Sequence, residues 1–167
     1  MDVDVSRLLE MHPRLAPTTG ADCAHKAAVG LSRHSHLPGV NLEIMFDGER
    51  QRAALNWSTG PDLDGDRLDF HRVTEDAAEA IALALVYVAK GWVVRRRAQR
   101  EEHADWLLVD TDMRSIAMEV SGVDMIDAGQ RRLREKVEQV RRHQNPRAIK
   151  VACIVELHPP RSRLRTA

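Results

Sequence analysis

The stretch from 104 to 122, ADWLLVDTDMRSIAMEVSG, constrains the fold most because it reads as two strands joined by a polar turn. Asp105 stands near the start of the first strand and Glu119 near the end of the second. Strand residues two apart share a face, so we expect Glu119 and Ser121 to project together. The opposite face would be apolar, with Ile116, Met118 and Val120. Buried carboxylates are costly unless they are paired or bind a cation. The pair therefore indicates either a shared divalent metal or two ordinary strand-end residues facing water.

The composition is typical of one globular domain, with 167 residues, 43% of them hydrophobic and 30% charged. No apolar run approaches the roughly 18 residues that indicate a membrane helix. No basic start followed by an apolar block indicates a secretory signal. Cys23 and Cys153 are too few for a disulfide framework, and Cys153 lies in an apolar run that predicts a buried thiol. A cytoplasmic protein without a membrane partner is the expectation.

The net charge is zero, but the charges are unevenly distributed along the chain. Residues 1–90 hold 9 lysines and arginines against 14 acids, and residues 91–167 hold 16 against 11. This asymmetry indicates an anionic partner for the C-terminal half, or simply an arginine-rich composition.

The first 40 residues give few structural signals. The segment from Val3 to Met11 predicts a short helix, which Pro13 and Pro17 would end. Several residues could suggest a zinc site, but their spacing matches no closed cysteine–histidine pattern. These residues are His12, Cys23, His25, His34 and His36, and we interpret the histidines among them as surface or loop residues.

A β-hairpin is predicted next, with strands from Val40 to Phe46 and from Arg50 to Trp57 around the turn Asp47-Gly48. The aspartates from Asp62 to Asp66 do not match a calcium loop and predict a solvated turn.

The clearest helix begins after Thr74, a good N-cap, continues over an Ala- and Leu-rich body and ends at Gly91. A strand from Trp92 leads into a basic run that includes Arg95 and Arg97. After the two strands described above, the pattern turns helical again.

This second helix is predicted from Asp127 to His143, with Leu133, Val137 and Val140 as its buried stripe. The run from Ala148 to Leu157 is almost unbroken in apolar residues and predicts a central strand, parallel to the strand before the helix. The Pro- and Arg-rich tail from His158 to Ala167 is expected to fray.

The order from Thr74 onward is helix, three-strand meander, helix and parallel strand, which resembles the core of the PD-(D/E)xK, or restriction-endonuclease-like, nuclease superfamily. The resemblance covers residues 74–157. It implies an α/β fold in which residues 71–167 form the core with a basic tail, and residues 1–70 form an N-terminal extension with the hairpin. It places Asp105 as the first acid of the site and Glu119-Val120-Ser121 at the second motif. Glu79, or less readily Glu75, would be the helix acid.

The chain departs from the family pattern at Ser121, which stands where the motif has a lysine. Some members of the superfamily supply that lysine from another element. Lys136, on the following helix and on the same flank as Gln139, is the candidate here. If it pointed to solvent, the site would be inactive.

The resemblance implies metal-dependent phosphodiester hydrolysis of nucleic acid, with DNA favoured over RNA. Mg²⁺ or Mn²⁺ would be held by Asp105, Glu119 and the backbone carbonyl of Val120. Residues expected to contact nucleic acid are Arg95, Arg97, Arg131, Arg132 and Gln139. Cleavage of both strands of a duplex implies a homodimer, with the hairpin either as the dimer edge or as an extension of the main sheet.

Three functions remain open at this point. The first is an active nuclease with Asp105, Glu119, Lys136 and Glu79 as catalytic residues. The second is an inactive subunit of the same fold that binds nucleic acid or a protein, which the missing lysine favours. The third is an unrelated α/β interaction module whose acids are structural.

Overall fold

The computed structural model describes residues 1–58, 69–124 and 128–167. Within them the chain is mixed α/β, with one eight-stranded sheet and four α-helices. The strands are β1 Asp2–Asp4, β2 Val40–Phe46, β3 Glu49–Asn56, β4 Val93–Arg97, β5 Trp106–Val109, β6 Ser115–Val123, β7 Ile149–Leu157 and β8 Pro160–Thr166. The helices are α1 Leu8–Met11, α2 Pro17–Arg33, α3 Phe70–Lys90 and α4 Gly129–Arg141. The turn predicted from Asp62 to Asp66 lies outside the described residues.

The strands are ordered β1-β3-β2-β8-β7-β6-β5-β4 across the sheet. The meander β4-β5-β6 is antiparallel, and β7 lies parallel to β6. The predicted order of helix, meander, helix and parallel strand is therefore present. The two helices cover opposite faces: α3 packs with Met118 and Val120 of β6, whereas α4 packs with Ala117. Cys153 is fully buried in β7, as predicted.

The helix α3 begins earlier than the sequence predicts. Asp69 is its N-cap, and its side chain accepts a hydrogen bond from the backbone N–H of His71 at 3.0 Å. Thr74, predicted as the cap, lies inside the helix and donates its hydroxyl to the Phe70 carbonyl at 2.9 Å. The end is as predicted, with Gly91 in the left-handed conformation at φ 69°.

The C-terminal segment does not fray as expected but forms β8, which lies between β7 and β2. Its small or apolar residues, Ser162 and Leu164, are buried, and arginines alternate with them. The sequence of this segment alternates with a period of two, as a strand does, but its high content of arginine and proline favours a frayed tail. Long arginine side chains can line one face of a strand whose other face is buried.

The N-terminal residues are more ordered than the sequence indicates. Pro17 occupies the first turn of α2, where it needs no amide hydrogen and does not interrupt a helix. His12 is fully buried, so the surface or loop interpretation is wrong for this histidine. Cys23 is also buried, in α2.

The predicted hairpin is β2 and β3, and both strands have two neighbours in the sheet. It extends the main sheet through the pairing of β2 with β8. Because β1 pairs only with Ala54, Leu55 and Asn56, residues 49–53 of β3 have no partner strand on their outer side among the described residues. Strands from both sides of residue 70 thus share one sheet. Among the described helices, none has the length and apolar character needed to cross a bilayer.

Candidate active site

Asp105 lies just before β5 and turns its carboxylate onto β6. Its backbone N–H donates to the Met118 carbonyl at 2.9 Å, which continues the strand pairing by one residue. Its Oδ2 accepts a hydrogen bond from the backbone N–H of Val120 at 2.8 Å. The two contacts place the first predicted acid against the backbone on either side of Glu119.

Glu119 projects from β6 toward α4, because alternate residues of this strand face that helix. Lys136 Nζ lies 2.5 Å from Glu119 Oε1 and donates a second hydrogen bond to Gln139 Oε1 at 3.1 Å. The pair is withdrawn from solvent, with side-chain exposures of 14% for the lysine and 3% for the glutamate. The predicted lysine therefore points toward the carboxylates and not into solvent. Below, the acid cluster means Asp105 and Glu119 together with Glu79, which acts on Asp105 from α3.

The two acids affect each other's protonation. Burial raises the pKa of Glu119; the nearby Asp105 carboxylate raises it further, and Lys136 opposes the rise. Burial also raises the pKa of Asp105, against the Val120 amide and the cations Lys136 and Arg97. A neighbouring negative charge favours the neutral form of a buried carboxyl, which is the direction of the shift at Glu119.

Glu79 reaches the same region from α3. Arg97 donates to Glu79 Oε1 at 2.8 Å, and its guanidinium lies over the Trp106 ring, 5.0 Å from the centroid. Burial raises the pKa of Glu79 to about 7; Arg97 opposes the rise and the Asp105 charge adds to it. The helix acid is therefore close enough to Asp105 for the two charges to interact, but it is already paired with an arginine.

Ser121 occupies the motif position of the lysine and is tied into a separate network. Its hydroxyl donates to Glu75 Oε1 at 3.2 Å and accepts from Arg132 Nε at 3.1 Å. The backbone N–H of Gly122 donates to Glu75 Oε2 at 2.9 Å. Gly122 is required here, since a Cβ would come within 2.3 Å of the Thr74 carbonyl oxygen.

The structure does not bring all the predicted nucleic-acid contacts into the cluster. Arg97, Arg132 and Gln139 touch it through Glu79, Ser121 and Lys136. Arg95 is exposed at the irregularity in the β4–β5 pairing. Arg131 is exposed on α4 and lies 3.9 Å from Glu135.

The candidate ligands for Mg²⁺ or Mn²⁺ are the carboxylates of Asp105 and Glu119. Within the ranges that the structure describes, no group of three or more histidine, cysteine, aspartate or glutamate residues is arranged to hold a metal. Mg²⁺ needs only one or two protein carboxylates, and Asp105 with Glu119 supplies two. Lys136 contacts Glu119 Oε1, while Oε2 is buried with no hydrogen-bond partner among the described residues. A buried carboxylate oxygen without a hydrogen-bond partner is suited to binding a cation, so Asp105 and Glu119 fit Mg²⁺ or Mn²⁺ as ligands.

Sequence reasoning missed the part played by Glu75. It was ranked below Glu79, but it contacts β6 directly through Ser121 and Gly122. The sequence shows that Glu75 and Glu79 lie one helical turn apart on the same helix. Which of the two meets β6 depends on how α3 lies across the sheet. The bond between Arg132 and Ser121 likewise had no sequence signal.

Comparisons of the chain with models of known families, with curated proteins and with solved structures find no match.

Proposed function

We propose that this protein is a metal-dependent phosphodiesterase acting on nucleic acid, with DNA favoured, and that its core is of the restriction-endonuclease-like type. The observation that carries the proposal is the ion pair between Lys136 Nζ and Glu119 Oε1, at 2.5 Å and nearly withdrawn from solvent. It supplies a lysine beside the acids although the motif position holds Ser121. A buried charge pair is rarely gained for stability alone, which favours a functional role for it.

Asp105 and Glu119 would hold Mg²⁺ or Mn²⁺, with the Val120 carbonyl as a further ligand. When bound, the ion supplies a Lewis acid that lowers the pKa of water and neutralises charge on a phosphate. The Val120 amide orients the Asp105 carboxylate, because it donates to Oδ2 at 2.8 Å. Lys136 places a positive charge where the phosphate gains negative charge, and Gln139 orients its ammonium group.

Glu79 and Arg97 form the rim of the same cluster. Arg97 is 53% exposed, so its guanidinium is accessible to a phosphate while it neutralises Glu79. Arg132, 42% exposed, is placed similarly beside Ser121. Both would contact the nucleic-acid backbone, which gives affinity without sequence preference.

The test is cleavage of circular and linear DNA and of RNA with Mg²⁺, with Mn²⁺ and with EDTA. Glu119→Gln and Lys136→Met are compared with the wild type. Lys26→Met is the matched control, because Lys26 is 13% exposed and its ion pairs are with Asp22 and Asp76, not with Asp105 or Glu119. It loses the same charge and a similar ion pair.

We expect metal-dependent cleavage by the wild type and by Lys26→Met. We expect a loss of at least about a hundredfold in rate in Lys136→Met, as is usual when a charge-stabilising group is removed. Glu119→Gln should be inactive at every metal concentration. No cleavage of any substrate by folded wild-type protein would overturn the proposal.

The alternative is a catalytically inactive subunit of the same fold that binds nucleic acid or a protein. It is favoured by Ser121, which is already engaged by Glu75 and Arg132, and by Lys136, which is already neutralised by Glu119. It predicts retained nucleic-acid binding without cleavage in the wild type. Binding unchanged by Glu119→Gln would then distinguish it from a substrate complex held through a metal.

A further inference from the structure

The residues that the structure describes leave one half of the sheet face on the α4 side open. Residues of β2 and β3 that point away from α3 are exposed or half-buried, whereas their neighbours Leu42, Ile44 and Leu55 are buried on the other side. The described helix on this face, α4, packs on β6, β7 and β8. The open part forms a groove of about 630 Å³ beside it.

Arginines of β3 and β8 line this groove in rows on either side of β2. Strand pairing places Met45 of β2 between Arg50 of β3 and Arg163 of β8. The next row places Glu43 between Arg52 and Arg161. Arg165 continues the line along β8. Five arginines therefore share one face with two acids, Glu43 and Glu156, and give it a net positive charge.

The floor of the groove is built around a buried carboxylate. Glu156 of β7 is only 3% exposed and accepts from Arg163 Nε at 2.9 Å and from Arg161 Nη1 at 3.3 Å. Arg161 also donates to Glu43 at 3.1 Å. These two arginines are held in place before any ligand binds. Arg50, Arg52 and Arg165 are exposed and form no ion pair within the described ranges, so their charge faces solvent.

The occupant that fits this chemistry is a polyanion with regularly spaced charges. Arginines two apart on a strand are separated by about 6.6 Å, and the rows of adjacent strands by about 4.8 Å. Single-stranded nucleic acid usually also needs aromatic side chains on which bases stack. The residues that β2, β3 and β8 present on this face include no aromatic ring. The face is thus suited to a backbone and not to unpaired bases.

We propose that the arginine groove of β2, β3 and β8 binds the phosphate backbone of duplex DNA without sequence preference. This inference deepens the proposed function, since it names the duplex as the form of nucleic acid bound. It stands on other residues than the acid cluster, from which it is separated on the same sheet face by α4. The groove would hold the duplex while the cluster acts on it.

The experiment measures the affinity of the full chain for a short fluorescent duplex by anisotropy, in EDTA and over a series of salt concentrations. The test variant is Arg50→Gln/Arg52→Gln. Arg161 and Arg163 are left unchanged because their removal would strand the buried Glu156 charge. The matched control is Arg7→Gln/Arg14→Gln, which removes the same charge from the N-terminal segment on the α3 side.

We expect the wild type and the control to bind the duplex more tightly than a single strand of equal length. The Arg50/Arg52 variant should bind roughly tenfold more weakly at low salt, and its slope of log affinity against log salt should be smaller by about two. Equal loss in the control, an unchanged slope in the variant, preference for the single strand, or binding of an acidic peptide instead of the duplex would each overturn the inference.

The result is separable from the outcome of the cleavage assay. Arginine-dependent duplex binding without cleavage would retain the groove and overturn the phosphodiesterase. Cleavage with binding that ignores Arg50 and Arg52 would retain the enzyme and overturn the groove.

Discussion

Glu79 shows how burial alters the behaviour of a single residue. Its pKa is raised to about 7, first by burial and then by Asp105, against the opposing charge of Arg97. The unfolded chain releases this proton near the ordinary value of 4.5, whereas the folded chain keeps it until about pH 7. The folded state therefore binds more protons in this window, and the stability contributed by Glu79 decreases as the pH rises through it.

We predict that Glu79→Gln is more stable than the wild type at pH 8 by roughly 3 kcal/mol, since the pKa rises from 4.5 to about 7 and one pKa unit corresponds to about 1.4 kcal/mol. Near pH 4.5 the difference should vanish, because the wild-type carboxyl is neutral there in the folded state. The measurement is the free energy of unfolding in urea at both pH values.

The control for this prediction is Glu138→Gln, an exposed residue of α4 that pairs with Arg141. Its effect should be small and similar at both pH values. A Glu79→Gln variant that is equally destabilised at both would show that the carboxylate is charged and stabilising throughout.

At the scale of elements, His12 connects three of them from the end of α1. Its Nδ1 accepts from the Val94 N–H of β4, and its Nε2 lies 3.2 Å from the Leu83 carbonyl of α3. The ring is thus neutral, with its proton on Nε2. Burial lowers the pKa of His12, against the opposing effect of the Leu83 carbonyl.

We predict that His12→Leu lowers the free energy of unfolding at pH 7.5 by roughly 2 to 4 kcal/mol, because two buried backbone groups lose their partner. The unfolded histidine takes up a proton below about pH 6.5, whereas the buried ring stays neutral to lower pH. Wild-type stability should therefore decrease as the pH falls from 7 to 5, and His12→Leu should lack part of that decrease.

Urea unfolding at the two pH values measures both effects. His25, an exposed residue of α2, provides the control as His25→Leu, whose stability should differ little from that of the wild type. Equal pH dependence in His12→Leu and the wild type would contradict the assignment of a neutral ring.

At the scale of the whole molecule, the sheet joins residues from both ends of the chain. β8 pairs with β2 on one side and with β7 on the other, and β1 pairs with β3. The sheet thus crosses the boundary at residue 70 that the resemblance implies. Breaking it there would expose unpaired backbone groups and the apolar surface shared by both parts.

We predict one cooperative unfolding transition for the chain. The three tryptophans report on both parts: Trp57 follows β3, while Trp92 and Trp106 lie beside α3 and in β5. We would compare single-tryptophan variants that retain Trp57 or Trp106, with phenylalanine at the other two positions. In each variant the tryptophan fluorescence and the far-UV circular dichroism should change over the same range of denaturant. A Trp57 signal that changes before the helical signal would indicate that residues 1–70 unfold separately.

Much of the fold was predictable because it rests on local patterns. The apolar run of β7, the Asp47-Gly48 turn and Gly91 each act through the backbone preferences of their own neighbourhood. Asp105, Glu119 and Lys136 were predicted from the same local patterns together with the resemblance. By contrast, β8 and α2 were not predicted. A proline interrupts the middle of a helix but is tolerated in its first turn, where Pro17 lies, and arginines can occupy the solvent-facing side of a strand such as β8.

The sequence by itself determined the order of elements between Thr74 and Leu157 and the fact that Glu119 and Ser121 share one face of β6, since strand alternation requires no knowledge of the partners. Only the tertiary structure decided that Lys136 meets Glu119, that Glu75 and not Glu79 contacts β6, and that the arginines of β3 and β8 share one open face. These contacts join residues 17 to more than 100 positions apart. They depend on how helices cross the sheet and on strand order, which local propensity does not encode.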